Sequence, residues 1–201
     1  MRLHTCGKAL SCLILCAGVM VSCQAGQSSN YDGPKFSFQY PANWKIRTNG
    51  ERFASAKSPA DDITHVGVEF FPGMVNQPGT LVQCATVDKA LIGYYEANWA
   101  IYAKSDPSNA MNRTTVTYDQ LGPGTLGGRS MWISVVTTAP GQIVDSVQAW
   151  INVVPRKDGF YVVSMSHPSG PMETWEPIRQ GFLKSVRLKR ERLGNTDYCS
   201  Y

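Results

Sequence analysis

An α+β domain, built on a single antiparallel β-sheet of about six to seven strands flanked by helices, is the fold class the sequence predicts. Three observations predict it. Short runs in which apolar and polar residues alternate recur between residues 36 and 71 and again between 114 and 167. One segment between those groups and one after them change to the helical period. Turn residues, Pro140-Gly141 and Lys157-Asp158-Gly159, stand where two successive hairpins would close.

In the first group, Phe36, Phe38 and Tyr40 alternate with polar residues until Pro41 ends the run, and Trp44 and Ile46 begin a second strand. Arg52 to Lys57 reads as a third. After the turn Pro59-Ala60-Asp61-Asp62, the run from Thr64 to Phe71 sets Val66, Val68 and Phe70 on one face. From Thr86 to Lys104 the spacing is helical. Val87, Leu91, Tyr94, Tyr95, Ile101 and Tyr102 fall on one side, opposite Lys89, Glu96 and Lys104. Thr86 suits the N-cap, and Asn98, within the apolar side, suits either a core amide satisfied by backbone groups or a ligand contact.

Four more strands follow a loop of Asp, Pro, Ser and Asn: Thr114 to Leu121, Arg129 to Thr138, Ile143 to Val154 and Phe160 to His167. If the first hairpin closes around Gly141, Trp132 faces Trp150 across the ladder. Thr174 to Val186 then carries Trp175, Ile178, Phe182 and Val186 at helical spacing, with Thr174 as N-cap and Pro177 in the first turn. Such a helix would either cover the tryptophan pair or leave it as an aromatic patch.

The first residues carry an address. Arg2 and Lys8 precede an apolar run from Ala9 to Ser22, shorter than the roughly 20 residues needed to cross a bilayer. The run ends in Met20-Val21-Ser22-Cys23, which resembles the bacterial lipobox. Residues 1–22 are therefore expected to be a lipoprotein signal peptide and Cys23 the acylated residue. Residues 23–33, rich in Gln, Ser, Asn and Gly, read as a flexible tether. Residues 34–188 form the domain and 189–201 a basic and polar tail. The expected location is the bacterial cell envelope, lipid-anchored and facing the periplasm or outer surface. Gln24 slightly favours the outer membrane if the organism is Gram-negative.

The whole chain has 201 residues, with 19 Lys+Arg against 15 Asp+Glu. Without Arg2 and Lys8 the balance falls to about +2, too mild for a nucleic-acid binder. The basic residues gather at the end, where Arg187, Lys189 and Arg190 could meet lipid headgroups or an acidic partner, or simply face solvent. Of six cysteines, Cys6, Cys12 and Cys16 would leave with the signal and Cys23 with the lipid. In an oxidising compartment the remaining Cys84 and Cys199 are expected to pair. That bridge would contribute on the order of 4 kcal/mol by chain entropy.

Little in the sequence points to catalysis or a cofactor. Gly122-Pro123-Gly124-Thr125-Leu126-Gly127 matches G-x-G-x-x-G, but Pro123 removes an amide and a strand follows, whereas a phosphate cradle needs a helix N-terminus. His65 and Glu69 share a strand face about 13 Å apart, too far to hold one ion by themselves. No serine or cysteine has a nucleophile motif around it. A hydrolase would need a pocket joining His65 or His167 to a carboxylate.

The pattern Phe36-x-Phe38-x-Tyr40-Pro41-x-x-Trp44, the step Gly127-Gly128-Arg129 into a hairpin, and the end from Tyr161-Val162-Val163-Ser164 to Phe182-Leu183-Lys184-Ser185-Val186 resemble the PsbP-like superfamily. Its members include DcrB-like and LpqN-like bacterial lipoproteins. The resemblance implies an α/β/α sandwich and a binding or assembly role, without a family site to carry over. Two functions are thus expected. One is a non-enzymatic module that docks an envelope protein around Trp132, Trp150 and the basic end. The other is a lipid-anchored carrier or sensor of a small apolar ligand held between sheet and helix.

Overall fold

The computed structural model describes residues 27–72, 84–99, 113–119, 122–140, 142–156, 158–170 and 172–189. The elements in chain order are β1 (Ser28–Asp32), β2 (Phe36–Pro41), β3 (Lys45–Asn49), β4 (Phe53–Lys57), β5 (His65–Pro72), α1 (Cys84–Asn98), β6 (Arg113–Tyr118) and β7 (Gly122–Pro123). Then come β8 (Arg129–Ala139), β9 (Gln142–Arg156), β10 (Gly159–Pro168), α2 (Met172–Ser185) and β11 (Arg187–Leu188).

The main sheet has eight strands in the order β3-β4-β5-β10-β9-β8-β6, with β7 also paired to β8, and all its pairings are antiparallel. A second sheet of three strands, β1-β2-β11, is separate from it. The single sheet expected from the sequence is therefore corrected to two. The cause lies in β2: its inward Phe36 and Phe38 are each 1% exposed and meet Tyr161 and Phe182 edge-on, at 6.5 and 5.4 Å between ring centroids. That contact requires β2 to lie over the main sheet and not within it. Residues 28–32 of the expected tether are also a strand. The Tyr31 ring lies tilted against both Phe36 and Phe38 at 5.5 Å between centroids, and Asp32 pairs with Lys189.

Alternation in the central strands gives the sheet two apolar faces. One face carries Val66, Val68, Phe70, Trp150, Val154, Tyr161, Val163 and Met165, and is covered by the small sheet and by Phe182, Leu183 and Val186 at the end of α2. The other carries Met131, Ile133, Ala149, Ile151, Val153, Phe160 and Val162, and is covered by Val87, Leu91 and Tyr95 of α1. The helices so flank the main sheet on both sides. Among the described residues no helix is long and apolar enough to cross a membrane.

The glycine-rich loop before β8 is a fold device. Gly128 has φ +71°, and a Cβ there would meet the Val153 carbonyl oxygen at 2.0 Å. The buried Asn152 plugs the loop: its Nδ2 donates to the Gly127 and Arg129 carbonyls at 2.9 Å each, and its Oδ1 accepts from Leu126 N at 3.2 Å. Both helices are displaced from their expected bounds. Thr86 lies inside α1, so it is no N-cap. Asn98 is the last residue of α1 and is exposed, its Nδ2 donating to the Tyr94 carbonyl at 3.0 Å, so it is no core amide. Thr174 is likewise interior to α2, and Pro177 falls beyond the first turn. Ile101, Tyr102 and Lys104 lie outside the described residues.

Candidate functional site

The long helix is docked on one stripe and leaves a cleft on its flank. Val87 and Leu91, fully buried, and Tyr95, nearly so, seat it on the sheet. Asp88 fixes its angle by an ion pair to Arg129 Nε at 2.6 Å, with both side chains mostly buried. Beside that stripe the helix carries Ala90, Gly93 and Ala97, residues too small to fill the space below them. The result is a cleft of about 500 Å³ whose floor is Phe71, Val153, Phe160 and Val162. Thr86, Lys89 and Asn98 stand at its rim, and Lys89 is the one charged side chain among its described lining residues.

Tyr94 closes one wall, its ring edge-on to Phe71 at 6.2 Å between centroids. Its hydroxyl hydrogen-bonds Glu69, and Ser164 is a further partner. Burial pushes the Glu69 carboxyl above its usual range, and the Tyr94 hydrogen bond only partly offsets this. Tyr94 itself is pushed strongly upward, by burial first and then by the neighbouring Glu69 charge, so its hydroxyl stays protonated. The cluster is a set of fixed hydrogen-bonding groups beside an apolar cleft. It presents no base with a nucleophile to activate.

A second, more polar cavity of about 320 Å³ borders His65, Ser166, Asp62 and Asp145, so the pocket a hydrolase would need is present in outline. Its hydrogen bonds argue against nucleophilic catalysis. Ser166 Oγ donates to the Ile63 carbonyl at 2.5 Å. His65 Nδ1 lies 3.0 Å from the same carbonyl, which can only accept, and 2.8 Å from Ser166 Oγ. The Nδ1 proton is therefore on the ring, and the imidazole cannot take the serine proton there. Burial holds the His65 pKa below its ordinary value. Asp62 is at the surface, paired with Lys57 at 2.6 Å. His167 stacks on Trp175 at 5.0 Å and donates from Nδ1 to the Pro168 carbonyl at 2.8 Å, a structural role. Among the described residues no group of His, Cys, Asp or Glu is placed to hold a metal ion.

The residues expected to form a docking surface are mostly engaged inside the domain. Trp132 does pair with Trp150 across β8 and β9. However, Trp150 is 3% exposed, and the Arg179 guanidinium from α2 lies over both rings at 5.6 and 5.8 Å. Glu176 holds that arginine through two hydrogen bonds, at 2.5 and 2.7 Å. The tryptophan pair is thus covered by the helix and is not an open patch. Arg187 donates to the Lys184 and Val186 carbonyls, capping the end of α2, and Lys189 pairs with Asp32 of β1. Arg190, Cys23 and Cys199 lie outside the described residues. Cys84 is the first residue of α1. What sequence reasoning missed is the cleft. Its signal was the spacing Ala90, Gly93, Ala97, a line of small residues next to the apolar stripe.

No family model and no curated protein matches the sequence. Among solved structures, cyanobacterial PsbP (CyanoP) from Synechocystis sp. PCC 6803 is similar at 11% identity and a TM-score of 0.45, over 88% of this chain and 98% of that one. The Saccharomyces cerevisiae Ran-binding protein Mog1p is similar at 8% identity and a TM-score of 0.48, over 82% and 96%. A protein of Bacteroides thetaiotaomicron is similar at 13% identity and a TM-score of 0.40, over 83% of this chain; the match spans about half (49%) of that one. No residue role passes from any of them. The likeness to each is one of fold alone.

Proposed function

We propose that the chain is a non-enzymatic, lipid-anchored binding module of the bacterial cell envelope, of the DcrB-like or LpqN-like kind, which carries or senses a small apolar ligand in the cleft beside α1. Residues 1–22 serve as its signal peptide, Cys23 takes the acyl chains, and Cys84 pairs with Cys199. The observation that carries the reading is the cleft itself. A helix seated by Val87, Leu91 and Tyr95 could have filled its flank with larger side chains, yet Ala90, Gly93 and Ala97 leave about 500 Å³ over an apolar floor. Concave, mostly apolar sites with a few placed polar groups are the common form of small-molecule sites. Docking of an envelope protein through Trp132, Trp150, Arg187 and Lys189 ranks below this, because those groups are occupied within the domain.

Native mass spectrometry of the Cys23→Ser form of the full chain, exported and purified without detergent, tests the proposal. A bound mass that denaturation releases is expected, and Gly93→Leu should diminish it. Ligand-free protein in both forms, together with one dominant protein partner after crosslinking in membranes, would overturn the reading in favour of docking.

A further inference from the structure

We infer that the occupant of the cleft is a single-chain amphiphile with an anionic head, its chain lying along α1 and its head paired with Lys89. The inference rests on the reading of the cleft as a ligand site and adds the chemistry of the ligand.

Two features of the lining carry it. The first is shape. The lining residues of α1 run from Thr86 to Asn98, roughly 18 Å at 1.5 Å per residue, and the floor below them is built from Phe71, Val153, Phe160 and Val162. An apolar groove that follows the helix over that length suits an unbranched chain better than a compact ring system. The second is charge. Lys89 is the one charged side chain among the described lining residues, it is exposed at the rim, and among the described residues it enters no ion pair.

The neighbouring acidic groups are disposed so that they leave that charge to a ligand. Asp88, next in sequence to Lys89, is already held by Arg129 at 2.6 Å. Glu69 is not among the lining residues, and its carboxylate is hydrogen-bonded to the Tyr94 hydroxyl. A cationic head would meet Lys89 as a like charge, and an uncharged one would leave it without a partner. A carboxylate, sulfate or phosphate monoester on an alkyl chain would satisfy both the groove and the lysine.

The test compares three ligands with the same ten-carbon chain, below their micellar concentrations, titrated into the Cys23→Ser full chain by calorimetry: decanoate, decanol and decyltrimethylammonium. Decanoate should bind tightest, by roughly fivefold over decanol, the factor expected of one partly solvated ion pair. Lys89→Ala should abolish that preference, bringing decanoate and decanol to the same affinity. Gly93→Leu, whose side chain enters open space in the cleft, should weaken all three. Equal affinity for decanoate and decanol would overturn the anionic assignment while leaving the apolar site standing. A preference for decanoate that survives Lys89→Ala would also overturn it. Binding of none of the three would bring down both readings.

Discussion

On the α2 side of the main sheet, Phe36, Phe38, Phe70, Tyr161 and Phe182 pack ring against ring, and the Glu176–Arg179 pair caps the two tryptophans at the end of the layer. On the α1 side the helix touches the sheet through Val87, Leu91 and Tyr95, and the adjoining positions are alanine and glycine. Both faces come from the same strands, β5, β10, β9 and β8, whose alternate residues point either way. The difference therefore lies in what covers each face. One cover is filled with aromatic side chains from three elements, β1, β2 and α2. Among the described residues the other is one helix with a stripe of small residues, and that side holds the apolar cleft of about 500 Å³. A layer that closes tightly supplies stability, and it leaves its counterpart free to keep an opening.

The comparison breaks most visibly at Phe38. It is 1% exposed, lies between Tyr31, Phe36, Tyr40 and Phe182, and has no room to collapse. Phe38→Ala should lower stability by about 3–5 kcal/mol, read as the shift of the urea midpoint, because it removes the ring and leaves a cavity. Phe71→Ala, made on the half-buried ring that already borders the cleft, should lower it much less. Equal losses at the two positions would show that the faces are equally close-packed.

The two faces also carry carboxylates displaced in opposite directions. Hydrogen bonds from Arg179 and Gln180 pull Glu176 down to about 2. Its contribution is present above the ordinary carboxylate value and is lost as pH falls toward about 2. Glu69 is displaced upward by burial. Its folded state favours the proton, so its contribution is full below the ordinary value and disappears as pH rises through the folded one. Glu69→Gln should therefore raise the urea midpoint near pH 7 and change little near pH 3. Glu176→Gln should lower the midpoint near pH 7, with the loss shrinking under acid. Two variants moving in the same direction at neutral pH would remove this distinction between the faces.

How much of this was legible depends on what alternation and helical period can encode. Phe36, Phe38 and Tyr40 announced β2, and Trp132 opposite Trp150 followed from one hairpin turn. Alternation says which way a side chain points and is silent on which strand lies alongside, so the separation of β2 into a second sheet was not readable. β1 was hidden because Ser28, Ser29 and Asn30 are poor strand formers, and only Tyr31 supplies an apolar anchor. The basic end looked like an outward surface, since nothing local shows that Arg187 would turn onto the last carbonyls of α2 or that Lys189 would reach Asp32. The cleft was the least legible feature. Periodicity registers large apolar residues, and a cavity is made where they are missing.

Gly93 is where that absence is sharpest, and its expected effect is the smallest. Glycine inside a helix is less favourable than alanine by roughly 0.5–1 kcal/mol, through the backbone freedom it loses on folding. At Gly93 a Cβ would meet nothing within 4 Å, and its φ lies outside the positive range that alanine resists. Local physics thus favours alanine. Gly93→Ala should raise the thermal or urea midpoint by about 0.5 kcal/mol, without disturbing Val87, Leu91 or Tyr95 below. If a single methyl also weakens decanoate binding, the glycine is retained for the width of the cleft at the expense of helix stability. If stability rises and binding is untouched, the width of the cleft is set by Ala90 and Ala97, and Gly93 serves no purpose in it. A fall in stability would mean that the flank of α1 is already filled, and the contrast between the two faces would vanish with it.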